Sequence, residues 1–205
     1  MSLVKGQEYE LCQSLELAFN SRPIQSEEEF WCNTSNILEP PLFPQPIWNE
    51  IDITKNLDLA REIFLRSWLG ARFRDADVVD SFWEQRQHLF NEEVSQGVMR
   101  IEVSNLDFNF DGQQDRVYRY TRRVCPQGVE ANSSSIGSYH ILDEDDPILG
   151  KITLSYFSKS TEAFFFRGRT YLLSFQLNGA SIREPHDLPN LLTIAMVPIC
   201  EFEWE

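Results

Sequence analysis

The sequence predicts an α+β fold, with N-terminal helices packed on a mostly antiparallel β-sheet. Three observations predict it. Apolar residues recur at helical spacing only before Gly97. After Gly97 the period drops to two. The alternating segments are joined by short polar stretches that suit hairpins better than crossovers. The 205 residues are read as a single domain, 1–205. A mainly helical part spans 1–96 and an antiparallel sheet part spans 97–205.

Residues 5–20 read as the first helix, because Leu11, Cys12, Leu15, Ala18 and Phe19 fall on one stripe. Pro23 ends it by disfavouring helix at the preceding residue. Residues 39–48 carry four prolines (Pro40, Pro41, Pro44, Pro46) and are expected to be extended. Leu42, Phe43, Ile47 and Trp48 are expected to pin this connector against the core. A second helix is expected over 55–69, with Thr54 as N-cap, Leu57, Ala60, Phe64 and Trp68 inward, and Gly70 at the end. A third is expected over 75–95, with a stripe of Val79, Phe82, Trp83, Leu89 and Phe90, closed by Gly97. Glu84 and His88 stand four apart on it, a spacing that ordinarily makes a solvated side-chain pair.

Met99, Ile101 and Val103 alternate with Arg100, Glu102 and Ser104, so 98–105 is predicted as a half-buried strand. Further strands are predicted over 116–124, 137–142 and 151–157, and a hairpin over 163–175 turning at Arg167-Gly168. The last strand runs from Leu191 to Phe202, where Pro198 implies an edge or a bulge. Phe164, Phe165 and Phe166 suit a strand covered on both faces. Residues 126–135 and 143–147 read as polar loops, the latter with the acidic run Asp143 to Asp146.

Composition narrows the classes of function. With 15 Phe, 6 Tyr and 5 Trp the chain has ample surface to bury, which argues against disorder. A net charge of −14 repels phosphate backbones and anionic lipid, so no nucleic-acid partner is expected. Basic proteins or cations are the favoured ligands. No apolar run approaches the roughly 20 residues that span a bilayer, so no membrane insertion is expected. Met1-Ser2-Leu3 can mark the place where a leader was removed.

Cys12, Cys32, Cys125 and Cys200 form no CxxC pair, which disfavours zinc and thioredoxin chemistry. Four cysteines allow three connectivities, of which Cys12–Cys32 with Cys125–Cys200 is favoured, and two disulfides imply an oxidising compartment; the alternative is four buried free thiols. His88, His140 and His186 lie in separate segments without a metal-type spacing. Ser133-Ser134-Ser135 lacks the frame of a nucleophile elbow. No catalytic set and no organic cofactor site is legible.

One segment carries chemistry. Asp107-Phe108-Asn109-Phe110-Asp111-Gly112-Gln113-Gln114-Asp115 has the form DxNxDGxxD. A hard cation takes oxygen ligands, and side chains at alternate positions converge when the chain curls around it. The candidate Ca²⁺ ligands are Asp107, Asn109, Asp111, the Gln113 carbonyl and Asp115, with Gly112 at the sharp turn. The segment resembles the calcium loops of EF-hands and dockerins, and more closely the Asp/Asn loops of FG-GAP and VCBS-type repeats, where strands flank the loop. Tyr118 stands where an EF-hand has its bidentate Glu, so a helix–loop–helix is rejected and weak affinity, about 10⁻⁴–10⁻³ M, is expected. Asx and Gly residues also build such turns without metal.

Tyr9-Glu10-Leu11-Cys12, Trp31-Cys32, Pro46-Ile47-Trp48, the Asp-Asn-Asp-Gly hairpin and Val197-Pro198-Ile199-Cys200 together resemble a group of uncharacterised exported bacterial proteins. The resemblance implies a periplasmic or secreted setting and supplies no activity. The leading expectation is a non-enzymatic exported binding protein with a protein partner, such as an inhibitor or immunity protein. The alternatives are a hydrolase using clustered carboxylates and a structural envelope protein.

Overall fold

A computed structural model describes residues 1–21, 42–107, 112, 114–122, 137–142, 151–155, 160–176, 179–188 and 193–203. Among these the α+β class holds, with every strand pairing antiparallel. The described strands form two five-stranded sheets, however. The first has the order β1 (Ser2–Lys5), β10 (Thr193–Glu203), β9 (Gly179–Leu188), β8 (Arg169–Gln176), β7 (Ser160–Phe166). The second runs β2 (Asn49–Glu50), β3 (Met99–Leu106), β4 (Asp115–Arg122), β5 (Gly137–Leu142), β6 (Lys151–Ser155).

Helix α1 (Glu10–Ser21) begins later than expected, because residues 2–5 are drawn out as a strand along the C-terminal strand. Its stripe of Leu11, Cys12, Leu15 and Phe19 packs with Phe164, Phe166, Leu173, Ile182 and Phe202 of the first sheet. Helices α2 (Leu57–Leu69) and α3 (Ala76–Ser95) cover the second sheet, where Phe64 and Phe90 meet Ile101, Tyr118 and Tyr120. Each sheet thus has its own helix-facing core. Burying one such aromatic or aliphatic side chain contributes about 1.5–3 kcal/mol.

The opposite faces are buried as well: Glu102, Ser104, Leu106 and Val117 in the second sheet, Thr161, Ala163, Thr170, Leu172 and Ser174 in the first. Two bonds run between the sheets. Arg119, paired in register with Glu102 on β3, reaches Glu162 of β7 at 2.9 Å, and Thr170 of β8 reaches the main chain of Asp107 at 3.1 Å. The helices lie on the outer faces. In sequence, the whole second unit is inserted between α1 and β7 of the first.

Several expectations are corrected. The N-cap of α2 is Asn56; Thr54 sits in a 3-10 turn whose own cap is Asp52. Leu57 is 50% exposed, because the inner face of α2 begins at Ala60. In the connector Phe43 is buried and Trp48 stacks on Arg119, whereas Leu42 and Ile47 face solvent. The Pro44 carbonyl accepts from Phe165 N at 2.7 Å, so this segment lies along the edge of β7. Pro198 marks a bulge, where the register shifts between Pro198 and Cys200, and β10 is an inner strand between β1 and β9.

The disulfide connectivity is also corrected. Cys12 is bonded to Cys200, with a Cα–Cα distance of 5.6 Å. Pairing of β1 with β10 lays α1 over the C-terminal strand, and the two sulfurs meet in the first core. Neither Cys12–Cys32 nor Cys125–Cys200 can then form. Cys32 and Cys125 lie outside the described residues.

Candidate metal loop

The geometry of the Asp-rich loop follows from strand register. Met99, Ile101 and Val103 must face the helices together with Tyr118 and Tyr120, and a one-residue slip would turn either set outward. Ile101 accordingly pairs with Tyr120 and Val103 with Tyr118. The ladder ends at Leu106 opposite Asp115, so both ends of the loop are fixed across one ladder rung. Strands flank the loop on both sides, as the sequence predicts, and the helix–loop–helix alternative is excluded.

Asp107 leaves β3 half-buried. Its Oδ2 accepts from Gly112 N at 3.1 Å, which draws the chain back on itself within five residues. Gly112 has φ +85°, and a Cβ there would meet nothing within 4 Å. Glycine is therefore required by the left-handed backbone and not by space. The Asp107 carbonyl accepts from Thr170 Oγ1. The remaining oxygen, Oδ1, is buried and meets no hydrogen-bond donor among the described residues. A carboxylate oxygen in that position is destabilised unless a cation or donor reaches it. Asp115 opens β4 at the far end of the loop. Asn109, Asp111 and Gln113 lie outside the described residues, as do Ser133 to Ser135 and Asp143 to Asp146. Among the described residues no group of three or more His, Cys, Asp or Glu side chains is set to hold a metal.

Two polar clusters elsewhere were not legible in the sequence. Ser67 of α2, with Ser138 and His140 of β5, forms a buried triangle. Ser67 Oγ lies 2.7 Å from Ser138 Oγ and 2.9 Å from His140 Nε2, and Ser138 Oγ lies 2.7 Å from the same nitrogen. Ser67 also donates to Ile63 O at 2.7 Å. Burial, and then the nearby Arg66 charge, lowers the His140 pKa to about 3. A hydroxyl bound to its own helix and an imidazole without basicity near neutrality make no nucleophile–base pair. The sequence separation of 73 between Ser67 and His140 hides the cluster from any local pattern.

The second cluster is the junction of charges between the sheets. Arg119 donates to Glu102 at 2.6 and 2.9 Å and to Glu162 at 2.9 Å, while Arg100 takes the other Glu102 oxygen at 3.0 Å. These charge-assisted bonds join β3 and β4 to β7. Glu84 and His88 are both exposed on α3, with no bond between them.

No protein-family model matches the chain, and no curated protein or solved structure matches it significantly.

Proposed function

We propose that this chain is an exported, non-enzymatic binding protein whose β3–β4 loop takes a calcium-type cation, with an inhibitor or immunity role toward a protein partner. The observation that carries the cation reading is the Asp107 carboxylate. One of its oxygens accepts from Gly112 N, and the other is buried with no donor among the described residues. The buried Cys12–Cys200 disulfide supports an oxidising compartment. The net charge of −14 favours cations and basic partner surfaces. A hydrolase reading draws no support from the two polar clusters, whose groups are committed to one another.

Thermal unfolding in chelator and in about 5 mM calcium tests the cation reading. With a Kd of about 10⁻⁴–10⁻³ M, binding to the folded form alone adds about 1–2 kcal/mol. For a chain of this size that raises the midpoint by about 2–8 °C. Asp111→Ala and Asp107→Asn are expected to abolish the rise. Superimposable curves for the parent protein would reduce the loop to an Asx turn. Affinity capture from the native envelope fraction, with and without calcium, tests the partner.

A further inference from the structure

We propose that the outer seam between α2 and α3 is a docking surface for a protein partner, in which Arg61 receives a partner carboxylate set beside an apolar side chain. This rests on the partner reading above and is independent of the cation reading. Arg61 is half-buried at the flank of the α2 stripe, next to Ala60. Its guanidinium lies over the Trp83 ring of α3, 4.2 Å from the centroid. Arginine suits this place, because its planar, weakly hydrated group rests on an aromatic face and still presents donors at its edge. The missing element is an acid. Among the described residues Arg61 makes no ion pair or hydrogen bond, and its Nε is buried without an acceptor. Arg66 of the same helix shows the contrast. It too lies over a ring, that of Phe73 at 4.1 Å, but Glu62 accepts from its Nε and Nη2 at 3.0 and 2.8 Å. An arginine already positioned and desolvated, but without a carboxylate, gains most when a ligand brings one.

The ground around Arg61 is apolar. Trp68 and Phe82 lie across the seam from each other, with ring centroids 6.3 Å apart, and both are only partly buried, as is Trp83. Leu57, one turn before Arg61 on the same face of α2, is 50% exposed. Tryptophan and arginine anchors of this kind carry most of the binding free energy at protein interfaces. α3 also exposes Asp77, Asp80 and Glu84. With the net charge of −14, these oppose a phosphate-rich ligand, whereas one carboxylate held by short-range bonds is tolerated.

Nuclear magnetic resonance titration of the full chain, read at the Trp68 and Trp83 indole N–H groups, tests this with two probes, acetyl-Leu-Glu-Leu-amide and acetyl-Leu-Gln-Leu-amide. In the parent the glutamate peptide is expected to move the Trp83 resonance with a Kd of about 10⁻³ M, and the glutamine peptide to bind about three- to tenfold more weakly. Arg61→Met keeps an apolar stem over the ring and is expected to bind both peptides alike. Arg61→Lys keeps the charge without the planar fork and is expected to retain a smaller preference for glutamate. Should Arg61→Met not fold, the glutamate-to-glutamine ratio in the parent and in Arg61→Lys decides by itself. No preference for glutamate in the parent, the same preference in Arg61→Met, or inorganic phosphate moving Trp83 as far as the glutamate peptide does would overturn the docking surface. Capture from the envelope fraction separates this inference from the reading it rests on. A partner held equally by the parent and by Arg61→Met would overturn the surface and leave the partner reading intact. No capture by the parent would remove the partner reading, and the docking role with it.

Discussion

Single residues show where this fold has no slack. Gly179 opens β9 at φ +156°, and a Cβ there would lie 1.8 Å from the Phe202 carbonyl oxygen. The neighbouring atom is backbone of an inner strand and cannot move aside. Gly179→Ala is expected to destabilise by more than the 1–3 kcal/mol typical of overpacking. A urea midpoint equal to the parent's would refute the close approach. His140 gives a pH dependence whose sign is fixed. It is neutral in the folded state, with a pKa lowered to about 3, against an ordinary value near 6.5. Between those values the unfolded chain binds a proton that the folded chain does not, so unfolding is favoured as pH falls. The contribution is complete above about pH 6.5 and is lost progressively toward pH 3. His140→Gln, which cannot take up that proton, should flatten this part of the stability profile in urea titrations from neutral to acid pH. An unchanged slope would assign the acid sensitivity to groups other than His140.

At the scale of elements, the β7–β8 hairpin shows both what sequence reveals and what it leaves to improve. Arg167-Gly168 was expected as the turn, and both residues have positive φ, as a type I′ turn requires. Arginine is poorly suited to that conformation, and Asn adopts it more readily. Arg167→Asn forfeits an exposed ion pair with Glu10 and a contact with the Phe166 ring. Exposed pairs contribute little, so a net gain of about 0.5 kcal/mol is expected from the backbone. A lower melting temperature would show that the Glu10 and Phe166 contacts outweigh it. The elements read well from sequence were those whose period is local: the stripe of α3, and the alternation of Met99, Ile101 and Val103 with its partner strand. Those missed depend on distant chain. Residues 2–5 carry no strand signal of their own and become β1 only because β10 offers an edge. β9 contains Pro185, which argues against a strand, yet its pairing with β8 stops at Arg183 and leaves Pro185 where no donor to that neighbour is needed. At the candidate site the sequence supplied the loop and its two strands. The hydrogen bond from Thr170 to the Asp107 carbonyl was invisible, because it spans a sequence separation of 63.

The first sheet is closed by pairing between β1 and β10, which lie far apart in sequence. Sheet order places β1 beside β10, and the Cys12–Cys200 bond repeats that closure covalently across a sequence separation of 188. The first unit is discontinuous, since its helix and edge strand precede the inserted second unit and its four long strands follow it. Without the crosslink, an unfolded chain must bring these parts together across almost its full length. The entropy lost in closing so long a loop corresponds to about 5 kcal/mol. The double variant Cys12→Ala, Cys200→Ala is therefore expected to lose stability of that order in urea unfolding. Hydrogen exchange should rise first in β1, α1 and β10, because the second core of Phe64, Phe90, Ile101 and Tyr120 contains neither cysteine. Reductant gives an independent check. Both cysteines are 0% exposed, so thiol reagents need the first unit to open before they can attack. In native buffer, dithiothreitol should leave the fold unchanged for as long as that opening is rare, and near the urea midpoint it should accelerate unfolding sharply. Rapid reduction in native buffer, or a double variant as stable as the parent, would show that pairing of β1 with β10 is sufficient by itself to hold the two ends together.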